Sequence, residues 1–315
     1  MQLWTDEDDS HRPQMRAAAE AVGDVMNQPQ DPGLSVEARV AQQRAIVRAM
    51  APPGSDGVDR EIAGVPCRIM TPADTATGVY LHFHGGGMIL GEPAMNDADN
   101  LELVTRHGLA VVSVDYRLAP EHPYPAGPDD GETVAGWLLD HAAAEFGSDR
   151  LLIGGESAGA YMTAATLLRV RDNLGAIDRF LGANLVFGVY DWGRSPSQRG
   201  IRPTDAPDLL SPGGIEFFTE CYLPGRTDDE RRHPLISPAF ADLSAMPPAL
   251  LTVGTADHLL DDTLMLAGRS AAHENTVELH VLPDAPHGFY MFGDTDMARL
   301  HHRRTHAWFD QVLAG

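Results

Sequence analysis

No lysine occurs anywhere in the 315 residues: all 23 basic side chains are arginine, set against 45 Asp and Glu. The formal charge of -22 argues against nucleic acid or an anionic membrane surface as a partner, because both are held by clustered cations. A lysine-free, acidic composition is what either a GC-rich genome or life in salt produces, and activity followed into molar NaCl separates the two. Cysteine is also scarce. Cys67 and Cys221 lie far apart and outside any C-x-x-C spacing, so neither a disulfide framework nor a zinc site is suggested. No apolar run reaches the roughly 18 residues of a membrane span, and the acidic opening stretch MQLWTDEDDS lacks the apolar segment of a signal peptide. A cytoplasmic protein with a large core is expected, since 43% of the residues are hydrophobic.

What is present is alternation. GVYLHF (78–83), LAVVSVD (109–115), RLLIGG (150–155), ANLVFGVY (183–190), ALLTVG (249–254) and VELHVL (277–282) are short apolar runs, mostly without a polar face. Strands of that kind are buried on both sides of a parallel sheet. Helical patterns over 96–107, 129–146, 158–172 and 259–273 separate them, which predicts a doubly wound α/β sheet with helices on both faces. Two regions break the rhythm. Residues 12–50 read as two helical stretches with Pro29, Pro32 and Gly33 between them, and residues 191–235 are rich in Pro, Gly, Arg and Asp. Both are read as parts of a cap over the carboxyl edge of the sheet. The expected division is 1–55 for N-terminal cap helices, 56–190 with 236–315 for a catalytic domain, and 191–235 for a cap insertion.

The stretch GGESAGAY follows the strand RLLIG and precedes a helical run, and Gly155, Ser157 and Gly159 fit G-x-S-x-G. That pattern alone arises by chance in about one chain in ten of such composition. Its strand–turn–helix setting is what gives it weight, because the Ser must sit on a strained turn that only flanking glycines allow. A serine hydroxyl needs a base and an oxyanion site. HGGG, His84 to Gly87, follows the strand GVYLHF, and consecutive glycines let backbone N–H groups converge on one point. His84 is expected to hold this loop and His82 to fill a strand position.

In the chain order Ser, acid, His, the partners should follow the later strands. Asp257 comes just after ALLTVG and His287 just after VELHVL, both at the edge where open α/β sheets bind ligands. Asp261, Asp262 and Asp284 remain alternatives for the acid, while Glu156 is expected to orient local backbone. His301, His302 and His306 lie in the C-terminal helical run DMARLHHRRTHAWFDQVL, where a solvated face is expected rather than a metal site.

With HGGG, DYRLAPEHPYPAG (115–127), GESAG, LSAMPPALLTVGTAD and PHGF in this order, the chain from about residue 60 onward resembles the hormone-sensitive lipase family, the bacterial family IV carboxylesterases. The resemblance implies an α/β-hydrolase fold with a mostly parallel eight-stranded sheet and a helical cap. It implies Ser157, Asp257 and His287 as a triad, with Gly86, Gly87 and Ala158 as oxyanion donors. It also implies an acyl-enzyme route to hydrolysis of small or short-acyl esters, no metal or organic cofactor, and often a homodimer through the last strand. DYRLAPEHPYPAG buttresses the oxyanion loop in that family. Five positions depart from the family pattern: Glu156 stands for Asp, Ala160 and Tyr161 for a small residue and Asn, Met88 for an aromatic, and His258 for Pro. Met88 and Tyr161 are expected to reshape the substrate pocket. An amidase, arylformamidase or lactonase could use the same triad, and a non-catalytic binding homologue could keep the fold.

Overall fold

The unalternated apolar runs become the middle of one eight-stranded sheet in the computed structural model, which describes residues 3–26, 33–50, 54 and 56–315. The strands are β1 (Val58–Ile62), β2 (Val65–Met70), β3 (Gly78–Phe83), β4 (Leu109–Val114), β5 (Leu151–Glu156), β6 (Phe180–Val186), β7 (Ala249–Gly254) and β8 (Val277–Leu282). Their order is β1-β2-β4-β3-β5-β6-β7-β8, with β1 and β2 antiparallel and every pair from β4 to β8 parallel. The residue pattern shows six of them. β1 and β2 escape it because β1, VDREI, is a charged edge strand with four exposed residues.

Alternate side chains of each central strand face opposite layers. Val79, Leu81 and Phe83 pack under helices α5 (Ala126–Phe146) and α6 (Ala158–Arg169). Tyr80, Leu152 and Leu250 face the other way, toward α4 (Asp97–His107) and α10 (Asp296–Ala314), whose Trp308 and Phe309 fill that side. The helix over Leu260–Ala272, α9, packs on β7 and β8. Helix α5 begins at Ala126, three residues before the expected 129, because Pro128 falls in the first turn, where no N–H is required.

Strand β6 ends at Val186 rather than continuing to residue 190. Phe187 has φ of 38°, so the chain leaves the sheet there while its side chains stay apolar, because Phe187 and Val189 wall the cavity above. The N-terminal region forms α1 (Asp6–Ser10), α2 (Arg12–Met26) and α3 (Val36–Met50). The expected break at Pro29 and Pro32 lies outside the described residues. In 191–235 the chain forms α7 (Pro212–Tyr222) and the single turn α8 (Asp228–Arg231). Among the described residues no helix is long and apolar enough to cross a membrane.

Candidate active site

Ser157 occupies the turn between β5 and α6 with φ 57° and ψ -118°, a conformation that a non-glycine residue holds only when its surroundings fix it. Two features fix it. Its N–H donates to the Val186 carbonyl at 2.8 Å, and the glycines on either side admit the end of β3. A Cβ on Gly159 would lie 1.9 Å from the Phe83 carbonyl oxygen, and one on Gly155 would lie 2.2 Å from the same atom. Ala158 opens α6, so its N–H is one of the unpaired donors of a helix start.

The loops after β7 and β8 bring the acid and the imidazole to this turn. His287 Nε2 lies 2.9 Å from Ser157 Oγ, and His287 Nδ1 lies 2.9 Å from Asp257 Oδ2. Asp257 is fully buried and also accepts the Leu259 N–H at 2.7 Å, while 15% of the His287 side-chain surface stays open. Burial by itself would lower the imidazole pKa, but the charge and hydrogen bond of Asp257, with Asp208 and Glu156 behind, outweigh it and raise it. Burial raises the Asp257 carboxyl against the pull of the same imidazole.

The three alternative acids are engaged elsewhere. Asp284 pairs with Arg16 of α2 at 2.7 Å and accepts from Thr204 at 2.7 Å. Asp261 accepts the Ser197 N–H at 2.8 Å. Asp262, fully buried, accepts from the Tyr190 and Asp191 N–H groups, Ser195 Oγ and Gln198 Nε2, and burial pushes its pKa up to about 7.

The glycine loop is held from below. Tyr116, in DYRLAPEHPYPAG, donates its hydroxyl to the His84 carbonyl at 2.7 Å and stacks on the His84 ring at 4.4 Å. His84 Nδ1 bonds the Gly85 carbonyl at 2.7 Å; burial takes this imidazole down to about 4, so it is a neutral donor. Glu156 accepts the Gly85 N–H at 2.7 Å and has His82 beside its other oxygen at 3.3 Å. The Gly86 carbonyl turns back to accept Ile89 N–H at 3.1 Å and Leu90 N–H at 2.8 Å. Because a trans peptide places C=O and N–H on opposite sides, the Gly87 N–H points away from that turn, and Gly86 and Gly87 both line the cavity.

That cavity, about 250 Å³, has Ser157 and His287 in its wall and is otherwise mostly apolar: Leu90, Phe187, Val189, Trp192, Leu210, Ile215, Phe218 and Leu259. Met88 and Tyr161 are not on it. Both are fully buried: Met88 reaches under α5 toward Gly127, and Tyr161 sits behind Trp192 with its hydroxyl 2.9 Å from that of Tyr222. The pocket reading of these two is thereby corrected, since the positive φ of Met88, 65°, turns its side chain into the core. The C-terminal histidines need correction as well: His301 and His306 are buried, His301 stacked on Tyr290 and His306 bonded to His107 at 2.9 Å. Asp208, absent from the sequence reading, bonds the His287 N–H at 2.9 Å and the His258 ring. Cys67 and Cys221 are free and buried.

Comparison with known proteins agrees with this architecture. A family model described as alpha/beta hydrolase fold matches residues 80–291. The carboxylic ester hydrolase LipN of Mycobacterium tuberculosis is 32% identical over 277 residues, 82% of this chain and 72% of that protein. The carboxylesterase NlhH of the same organism is 34% identical over 251 residues, 76% of this chain and 74% of its own length. A hormone-sensitive lipase from a metagenome library superposes with a TM-score of 0.79 at 29% identity, covering 99% of this chain and all of that one. An esterase of Pyrobaculum calidifontis gives a TM-score of 0.79 at 25% identity, with 93% and 97% covered. The chain belongs to the alpha/beta-hydrolase family, among its hormone-sensitive-lipase-like members, and is a carboxylic ester hydrolase.

Proposed function

We propose that the chain hydrolyses small or short-acyl, uncharged carboxylic esters through an acyl-enzyme, with Ser157 as nucleophile, His287 as general base and Asp257 as the group that fixes the imidazole. The observation that carries this reading is the chain of two 2.9 Å contacts, Ser157 to His287 to Asp257, opening on an apolar cavity of about 250 Å³. Neutral His287 takes the Ser157 proton at Nε2 as Oγ bonds the ester carbonyl carbon. The carbonyl oxygen becomes an oxyanion facing the N–H groups of Gly86, Gly87 and Ala158, each such donor contributing roughly 3 to 4 kcal/mol in the transition state. Collapse expels the alcohol with the proton from His287, leaving an acyl-serine. Water, deprotonated by the same imidazole, then attacks the acyl carbon, and collapse breaks its bond to Oγ, which takes the proton back from His287 as the carboxylic acid leaves. These steps use only side chains and backbone of this chain.

Uncharged substrates follow from the lining, in which the titratable side chains are Glu156, His287 and Tyr290 and no arginine stands among the described lining residues. Residues 1–55 and 191–235 serve as the cap over 56–190 and 236–315. Support comes from Leu210, Ile215 and Phe218 in the cavity wall, and from the Arg39 guanidinium of α3, which lies 3.7 Å over the Phe217 ring of α7. A cytoplasmic location and a homodimer through β8 complete the proposal; β8 is the last strand of the sheet among the described residues, and its Val277 to His280 are half-buried. Light scattering on the purified chain tests the dimer.

Turnover of p-nitrophenyl esters of increasing acyl length, beside a matched amide and lactone, tests the activity. Highest kcat/KM on acetyl to butyryl esters is expected. Amide turnover exceeding ester turnover would move the reading to an amidase, and undiminished ester turnover by Ser157→Ala would remove the mechanism.

A further inference from the structure

Behind the imidazole lies a second carboxylate–imidazole pair. Asp208, on the 191–235 segment, has a side chain only 1% exposed, and its two oxygens are fully occupied. Oδ1 accepts the Leu209 N–H at 2.8 Å and the His287 N–H at 2.9 Å; Oδ2 accepts the His258 N–H at 3.2 Å and is bonded by the His258 ring Nδ1. His258 directly follows Asp257, so one carboxylate ties together the loops that carry the proposed acid and base. Proline, the residue the related family usually carries at this position, has neither the N–H nor the ring for these two bonds.

We propose that Asp208 is a positioning residue for the His287 imidazole, fixing its loop through the main-chain N–H and, with His258, placing a second negative charge behind the ring that receives the Ser157 proton. This rests on the serine-esterase reading above and deepens it. Burial opposes ionisation of Asp208, but the His258 bond and the two histidines facing it outweigh that penalty and hold its pKa below the ordinary carboxylate value. The charge is thus in place across the working pH range. The groups facing His287 are Asp257 at Nδ1, Asp208 beneath the loop and Glu156 across the turn, all anionic when ionised, and all favour the imidazolium that forms as Ser157 attacks. The anchorage is wider than one residue: Thr204 bonds Asp284 at 2.7 Å, and Arg202 bonds the Ala256 carbonyl.

The test is the pH dependence of kcat and KM for p-nitrophenyl acetate in the full chain, for wild type, Asp208→Asn, Asp208→Glu and His258→Leu. For Asp208→Asn, kcat falls roughly tenfold to a hundredfold from mispositioning, with KM within about twofold, and the acid limb moves to lower pH because a charge favouring imidazolium is gone. His258→Leu keeps that charge, so its limb stays at or above the wild-type position although kcat falls. An Asp208→Asn limb that does not move overturns the proposal, whether or not kcat falls, since a purely structural role predicts that outcome. Should Asp208→Asn lose its cooperative melt, Asp208→Glu carries the test: a wild-type limb with kcat reduced supports the proposal, and unchanged kcat overturns it. A fluorophosphonate probe run alongside separates the two levels. A wild type unlabelled at Ser157 removes the parent reading, whereas an unmoved limb in a labelled enzyme removes only this one.

Discussion

Gly86→Ala isolates the oxyanion loop from the rest of the machinery. Gly86 has φ 122°, a region essentially restricted to glycine, and a methyl there would sit 2.2 Å from the Leu90 carbonyl oxygen. A carbon–oxygen contact needs about 3.3 Å, so the loop must move by about 1 Å. The Leu90 carbonyl is backbone in a tight turn closed by two bonds to the Gly86 carbonyl, at 3.1 and 2.8 Å, so the displacement falls on the peptide that carries the Gly87 N–H. Losing one oxyanion donor costs about 2.7 to 4 kcal/mol, or roughly 100- to 1,000-fold in kcat. Backbone strain costs the fold only about 1 to 3 kcal/mol. Gly64→Ala is the control: φ is 83°, nothing lies within 4 Å of the added methyl, and the position is in the β1–β2 turn away from the cavity. Steady-state kinetics and urea melts on both variants read the two quantities separately. Gly64→Ala should lose stability with kcat intact, whereas Gly86→Ala should lose kcat with KM little changed. A folded Gly86→Ala whose kcat is within about fivefold of wild type would refute the assignment of this loop.

Activity must appear as His287 becomes neutral, and its pKa is raised, so the acid limb of kcat/KM against pH should sit above the ordinary imidazole value of about 6.5. A limb below that value contradicts the electrostatics. Asp257→Asn presents a donor where Nδ1–H needs an acceptor, and should lower kcat by about 10⁴ with the fold retained on a thermal melt. Asp262→Ala leaves buried donors from Tyr190, Asp191, Ser195 and Gln198 without their acceptor, at about 1 to 3 kcal/mol each for the worst placed, so urea unfolding should show a loss of at least about 3 kcal/mol. Phe218→Ala removes the ring that packs against Gly87 in the cavity wall and should raise kcat/KM for hexanoyl relative to acetyl esters; an unchanged ratio refutes the role of α7 as a wall.

The site was legible wherever it depends on backbone shape. The glycines around Ser157, and Gly86 and Gly87 in HGGG, are demanded by sub-3 Å approaches, and such demands leave residue-type signatures. Asp257 and His287 were legible because each directly follows a strand-length run, ALLTVG buried along its whole length and VELHVL with Glu278 and His280 on one face, which gives the edge on which they stand. Side-chain destinations were not. Met88 and Tyr161 are large residues beside motif positions, yet the φ of one and the hydroxyl partner of the other send both into the core. Asp208 gave no local signal at all, since its partners His258 and His287 lie 50 and 79 residues away in the chain and only the fold brings them together. The apolar run through Tyr190 read as strand because cavity walls and sheet interiors demand the same side chains.

The central claim is that Ser157 carries the acyl group. Treating the chain with a fluorophosphonate and locating the adduct by peptide mass spectrometry tests it directly. One adduct per chain on Ser157, formed in step with loss of p-nitrophenyl acetate turnover and absent from Ser157→Ala, is the predicted result. Inactivation with the adduct on another residue, or full turnover by a chain whose Ser157 is modified, would contradict it.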